Sequence, residues 1–418
     1  MTLSGDSHSA FEGINNSQVP RISLQAFCDS PDLAALIESA SSDRRMSKAH
    51  VKVQMGGALA AIEAYRVAPT PNVIVLEATQ DREQLHARLD ELSEFCDHGT
   101  KVVIVGRSND ISLYRGLMAR GVSDYLVLPL TVLELIDAIA RLYAGDGTEP
   151  LGRIVAFVGA KGGVGASSIS HNVAWSIARD LDLQTVLVDL DLPFGTVGLD
   201  FNQDPPQGLT DAIFAPERLD ANFVDRLLSK CADKLSILAA PATLERPYDL
   251  NETIYDGVLD ILRSSVPSII LDVPHAWTSW SRRVLVGADE VVVVATPDLA
   301  SLRNTKTLFD LLRAARPNDS QPKLVMNEVG VLKRPEINIG EFAKTVDVEP
   351  IVSIAFDAKL FGTAANNGQM IAEVDGSSKA AEMMSEIARV VCGRSETKRH
   401  KKTLFNPLVE RLLRKKAS

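Results

Sequence analysis

Apolar residues in this chain fall into short runs rich in β-branched side chains. Between most of these runs lie stretches whose apolar positions recur every three or four residues. The first pattern predicts buried strands and the second predicts helices. In the first third, strands are predicted at 21–27, 51–54, 72–76, 101–105 and 124–128. Helices are predicted between and after them at 32–42, 57–66, 84–95, 111–120 and 132–143. Five βα alternations within about 125 residues predict a flavodoxin-like parallel sheet. After a Gly/Pro linker at 145–152 (GDGTEPLG) the pattern resumes. Strands are predicted at 154–158, 184–188, 236–239, 268–273, 290–295, 323–326 and 351–355. Helices are predicted from Ser167 and Ser168, read as caps, to about 179, at 252–263 and 299–316, within 336–346, and at 377–391. The class is therefore α/β, with domains at 20–144 and 153–393. A small, polar tail at 1–19 and a tail at 394–418 flank them.

Length and composition agree with two folded domains. The chain has 418 residues, of which 45% are hydrophobic and 23% charged. Its formal net charge of −10 argues against a surface that binds DNA without sequence preference. Cys28, Cys96, Cys231 and Cys392 stand far apart and form no CxxC, so neither zinc nor a disulfide framework is expected, and a reducing compartment fits. No apolar run approaches the length of a membrane-spanning helix, and the N-terminus does not resemble a signal peptide.

The candidate chemistry is concentrated in residues 153–191. A predicted strand runs into Gly159-Ala-Lys-Gly-Gly-Val-Gly165, then Ser167 and Ser168, then a helix. The next strand ends in Asp189 and Asp191. Glycines let backbone amides approach an anion, and a helix N-terminus adds partial positive charge. This predicts phosphate binding at Gly162, Gly163, Val164, Gly165, Ala166, Ser167 and Ser168, with Ser167 able to ligate Mg²⁺. Against the pattern G-x-x-x-x-G-K-[ST], Ala160 replaces the first Gly and Ala166 replaces the Lys. Asp272, near the end of the 268–273 strand, stands where a Walker B carboxylate would hold Mg²⁺ through its water shell. The ordinary alternative for such an Asp is a helix cap or a loop hydrogen bond.

The tail changes character. Residues 394–418 hold nine basic and two acidic side chains, a net +7 that leaves −17 on the rest. Leu404, Phe405, Leu408, Val409, Leu412 and Leu413 share one helical face. A basic amphipathic helix can lie on an anionic membrane, dock in a partner's groove or stay solvated.

Several of these segments carry family resemblances. The string KGGVG with Lys161 resembles the deviant Walker A loop of the MinD/ParA superfamily. The resemblance implies that ATP is the cofactor with Mg²⁺, that Lys161 reaches across a dimer interface, and that Asp189 and Asp191 contact Mg²⁺ and orient the attacking water. It also implies that Asn327, after the 323–326 strand, reads the adenine edge. The order of elements in 20–144, with GVSDYLVLP at 121–129, resembles a response-regulator receiver. The places of its phosphoacceptor Asp, its Ser/Thr and its Lys are held by Glu77, Gly106 and Leu128, which predicts a pseudo-receiver.

Beyond the loop, the strings at 188–195 (VDLDLPFG), 237–245, 271–277, 292–304 (VVVATPDLASLRN), 334–337 and 366–371 are similar to the CpaE/TadZ proteins of Flp (tad) pilus assembly. That family also sets a receiver-like domain before its ATPase domain. The resemblance implies an ATP-dependent homodimer at the inner membrane or cell pole, with pilus-assembly proteins as partners. Residues 404–416 would be a candidate membrane contact, and DNA is not an expected partner. Ala166 leaves hydrolysis open. A partition ATPase binding DNA, and a non-hydrolysing scaffold, are the alternatives.

Overall fold

A computed structural model of the chain describes residues 18–143, 151–245 and 247–394. The linker is almost entirely outside these residues, and so are the two tails. Val19, at the end of the expected N-terminal tail, is an exception. It is buried, and its amide donates to the Arg45 carbonyl.

The first domain contains strands β1 (Ser23–Cys28), β2 (His50–Met55), β3 (Val73–Ala78), β4 (Lys101–Gly106) and β5 (Asp124–Val127). They pair in the order β2-β1-β3-β4-β5, every pair parallel. This is the flavodoxin-like arrangement that the alternation predicts. Residues of period two on the central strands feed two cores. Ala26, Val75, Val103 and Val105 face one side of the sheet, and Phe27, Ile74, Leu76 and Ile104 face the other. Helix Val132–Arg141 begins with a capping box between Thr131 and Glu134.

The second domain contains β6 (Arg153–Gly159), β7 (Thr185–Asp189), β8 (Ser229–Ala232), β9 (Leu235–Leu238), β10 (Ser268–Val273), β11 (Glu290–Ala295), β12 (Lys323–Val329) and β13 (Pro350–Ala355). Their order is β13-β12-β11-β6-β10-β7-β9-β8. All pairs are parallel except β8 with β9. Helices cover both faces, so β10 and β11 are buried along their whole length. That double burial is why these strands read as unbroken apolar runs.

Some expectations need correction. Gly165 caps helix Ala166–Asp180, so Ser167 and Ser168 lie inside its first turn and are not its caps. The helix expected at 252–263 begins at Asp256. The short edge strand β8, with the polar sequence SKCA, has no apolar run to announce it. Helix Ser279–Gly287 starts Ser-Trp-Ser-Arg-Arg and is held by a Thr278–Ser281 capping box. It is short, and Trp280, Val284 and Leu285, although at helical spacing, are too few to mark it.

The domains meet through a buried charge cluster. The short 3-10 turn Arg44–Met46 docks at the end of the second sheet where the parallel strands begin. Arg44 pairs with Asp289 at 3.1 Å and Asp319 at 2.7 Å, and Arg45 pairs with Asp43 and Asp319. Arg316 reaches Asp319 at 2.7 Å, and Arg263 pairs with Asp289. Asp289 also accepts from the Ile154 amide at the start of β6. The glycine-rich loop lies at the opposite end of that strand.

Candidate phosphate-binding site

Strand β6 ends at Gly159 and the chain turns through 160–165 into helix Ala166–Asp180. Gly163 and Gly165 take φ of 77° and 83°, the left-handed region that favours glycine. Three side chains hold carbonyls of this turn. His275 Nδ1 donates to Gly159 O at 3.0 Å, Asn304 Nδ2 to Ala160 O at 2.9 Å and Asn327 Nδ2 to Val164 O at 2.8 Å. Residues 162–163 form a tight turn, and the amides of Gly162, Gly163 and Gly165 through Ser168 donate to nothing among the described residues. Open space lies where side chains would stand at Gly162 and Gly163. A turn with its carbonyls tied back and a row of unpaired amides at a helix N-terminus is a cradle for an anion.

The expected site residues converge on this turn from neighbouring strands. β10 lies between β6 and β7, and Asp272 is in register with both Phe157 and Asp189. Asp189 is buried and accepts from the amides of Asp191 at 3.0 Å and Val197 at 3.2 Å. Burial, with the charge of Asp272 second, pushes the Asp189 carboxyl up from the usual range. Burial also raises the half-buried Asp191, although the Phe194 amide opposes the shift. Asn327 is buried beneath the turn, and Ser167 is partly exposed in the first helical turn. Ala166 brings no charge.

Lys161 is tied to its own chain, with Nζ 2.9 Å from Asp298. Asp298 caps helix Leu299–Ala315 through the Ser301 amide and also accepts from Thr296 Oγ1 at 2.6 Å. Burial would raise the Asp298 carboxyl. Its hydrogen bonds from Thr296, Ser301 and Lys161 outweigh this and hold it down at about 2.

His171 was not among the expected site residues. It lies one turn beyond Ser167 on the same helix and is fully buried. Its Nδ1 is 2.7 Å from Asp200 Oδ2 and its Nε2 is 3.2 Å from Asp272 Oδ2. A carboxylate can only accept, so both ring nitrogens donate and the ring is an imidazolium. Burial alone would lower the pKa, but the two carboxylates push it up to about 10. The i, i+4 spacing from Ser167 was the signal that could have found it. His275 and Asn304 carry no comparable signal, because they contact the turn from more than a hundred residues away.

In the first domain, Glu77 is buried at the end of β3. Its carboxylate accepts from the Asp29 amide at 2.8 Å, the Ser30 amide at 2.7 Å and Ser30 Oγ at 2.7 Å. The group at the phosphoacceptor place is thus engaged in closing the turn after β1. A Cβ at Gly106 would collide with Tyr125.

Among the described residues, no three His, Cys, Asp or Glu side chains form a metal-binding group, and no helix is long and apolar enough to cross a membrane.

No protein-family profile matches the chain. A pilus assembly protein CpaE from Caulobacter crescentus is 50% identical over 30% of this chain and 97% of its own, with a TM-score of 0.30. That likeness is one of sequence, within the N-terminal part. The septum site-determining protein MinD of Bacillus subtilis is 26% identical over 260 residues, 59% of this chain and 91% of MinD. A ParA family ATPase from Chlorobium tepidum is 26% identical over 57% of this chain and 98% of its own, with a TM-score of 0.52.

Proposed function

The chain belongs to the CpaE family of pilus assembly proteins, within the MinD/ParA superfamily. From that premise we propose that it is an ATP-binding localisation and assembly factor for Flp (tad) pili, switched by dimerisation around nucleotide. The observation that carries this reading is the row of unpaired amides at Gly162, Gly163 and Gly165 through Ser168. It fits the phosphates of a nucleotide. The Ser167 hydroxyl fits Mg²⁺, and Asp272 and Asp189, paired across neighbouring strands, would take water-mediated contact. Bound Mg²⁺ would supply charge neutralisation at the β- and γ-phosphates. The chain's own residues would position the nucleotide: the turn would cradle it, and Asp191 or Asp189 would orient water. Asn327, expected to read the adenine edge, is instead buried beneath the turn and would brace it through Val164.

Dimerisation is supported by the rim around the turn. Phe194, Trp277, Leu299, Leu332 and Phe356 lie on segments that follow β7, β10, β11, β12 and β13, and they are 47–91% exposed. Five large apolar side chains at the carboxyl ends of one sheet suit a surface that a second copy covers. Lys161 stands at the same end, and Asp298 would release it to the partner's nucleotide. Residues 404–416 would add a weak membrane contact in each protomer, and pairing would strengthen it. The charge distribution argues against DNA as a partner, because the excess positive charge is confined to 394–418.

One observation favours a second reading, a scaffold that binds nucleotide without turnover. Ala166 removes the ammonium that normally reaches the β- and γ-phosphates, and His171 already neutralises part of the carboxylate cluster. Light scattering of the full chain with Mg²⁺-ATP, Mg²⁺-ADP or no nucleotide tests the switch. The expected outcome is a dimer with ATP alone, abolished by Lys161→Ala. A mass indifferent to nucleotide, with none bound, refutes it. Dimerisation with ATP but no phosphate release selects the scaffold.

A further inference from the structure

Asp272, Asp189 and the segment after Asp191 are joined in a closed ring of contacts. Asp272 and Asp189 are register partners on β10 and β7. Asp189 Oδ2 accepts from the amide of Val197, the first residue of the short helix Val197–Asp200. The last residue of that helix, Asp200, binds His171 Nδ1, and His171 Nε2 returns to Asp272 Oδ2. Gly195 lies so close against Asp189 that a Cβ there would collide with its carboxylate. One four-residue helix therefore touches one acidic side chain directly and the other through His171.

We infer that His171 is a positioning residue for the metal side of this site, fixing the Asp272 carboxylate and tying it to Asp200 of the 191–200 segment. A buried apolar residue would pack helix Ala166–Asp180 against β10 equally well. An imidazole with a carboxylate at each nitrogen does something more, because it sets the direction in which Asp272 presents its other oxygen. Partners of this kind, one bond behind a metal contact, orient the carboxylate and tune its affinity. Any shift of the 191–200 segment moves Asp200, and His171 passes that shift to Asp272. Ser167 and His171 share a helix face one turn apart, so hydroxyl and carboxylate are positioned from one rigid element. The inference rests on the reading that this turn binds nucleotide with Mg²⁺.

The test uses the full chain and a fluorescent ATP analogue. Nucleotide affinity is measured in EDTA, and Mg²⁺ is then titrated at saturating analogue. His171→Ala is expected to weaken the apparent Mg²⁺ affinity about 10- to 100-fold and to leave affinity in EDTA unchanged. His171→Gln, which keeps one donor, is expected to recover part of the loss. Asp200→Asn leaves the imidazole in place and is expected to shift Mg²⁺ affinity in the same direction. The double variant should add little to His171→Ala, because both act through one contact. Melting curves identify a variant that fails to fold, and in that case Asp200→Asn carries the test. Mg²⁺ affinity within twofold of the parent in folded His171→Ala or Asp200→Asn overturns the inference. An equal loss in EDTA also overturns it, since the role would then be general packing. Absence of nucleotide binding in the parent chain removes the nucleotide reading and this inference together, which separates that failure from the other two.

Discussion

Asp319→Asn tests how firmly the two domains are joined. The carboxylate accepts from Arg44 Nε and Arg316 Nε, each at 2.7 Å, and also pairs with Arg45. The four side chains are between 1% and 6% exposed. A unit pair 4 Å apart is worth roughly 4 kcal/mol at an effective dielectric of about 20. Three such terms do not add, because the guanidiniums repel one another and each buried charge costs several kcal/mol of lost hydration. The amide variant keeps those burial costs and removes the anion at the centre. Removing one partner of a buried pair costs about 3–5 kcal/mol, and we expect a loss in that range. Urea unfolding of the full chain, followed by fluorescence and by limited proteolysis, is the assay. The first domain should become cleavable from the second before the second unfolds. A pH series adds an independent check. Burial would raise the Asp319 carboxyl, but Arg44, Arg316 and Arg45 hold it down at about 2. Its contribution is therefore complete above the unfolded value near 4 and fades as pH falls toward about 2. The variant should lack that part of the acid slope. A loss under about 1 kcal/mol with an unchanged acid slope would mean that the cluster does not couple the domains.

Two further substitutions probe the individual sites. Gly165→Ala puts a Cβ 2.5 Å from Asn327 Nδ2 at a φ of 83°, so nucleotide affinity should fall by about tenfold or more, read by titration of a fluorescent analogue. Parent-like affinity would refute the strain argument. Incubation with acetyl phosphate should leave Glu77 unmodified by mass spectrometry, and Glu77→Ala should cost about 1–3 kcal/mol in thermal unfolding because the amides of Asp29 and Ser30 lose their acceptor. A phosphate adduct at Glu77, or an unchanged melting point, would contradict the pseudo-receiver account.

Strands β3, β4, β6, β7, β10, β11 and β12 were legible because burial on both faces of their central residues forces an unbroken apolar run. The glycine-rich turn was legible because its chemistry is local, and strand, turn, serines and helix are consecutive. The pairing of Lys161 with Asp298 was not, although both residues stood inside recognised motifs. It forms only when β6 and β11 become neighbours in the sheet. His171 was hidden for a related reason. On the buried face of a helix a single histidine reads as packing, and its i, i+4 spacing from Ser167 gains meaning only when Asp200 and Asp272 are seen at its two nitrogens. Least legible was the domain interface. Arg44 and Asp319 are 275 residues apart, and an arginine after Ser-Asp reads as an exposed loop residue.

The charge cluster at that interface has a consequence for how such a protein can be inherited. A domain that carries Arg44 and Arg45 cannot be cut from one that carries Asp289 and Asp319 without exposing buried charged side chains on both pieces and leaving Arg44 without either of its carboxylate partners. Recombination that shuffles modules would have to transfer both halves at once. A substitution on either side also needs its counterpart to change with it. Such coupling would hold the first domain to the second whatever residues stand at 77 and 128.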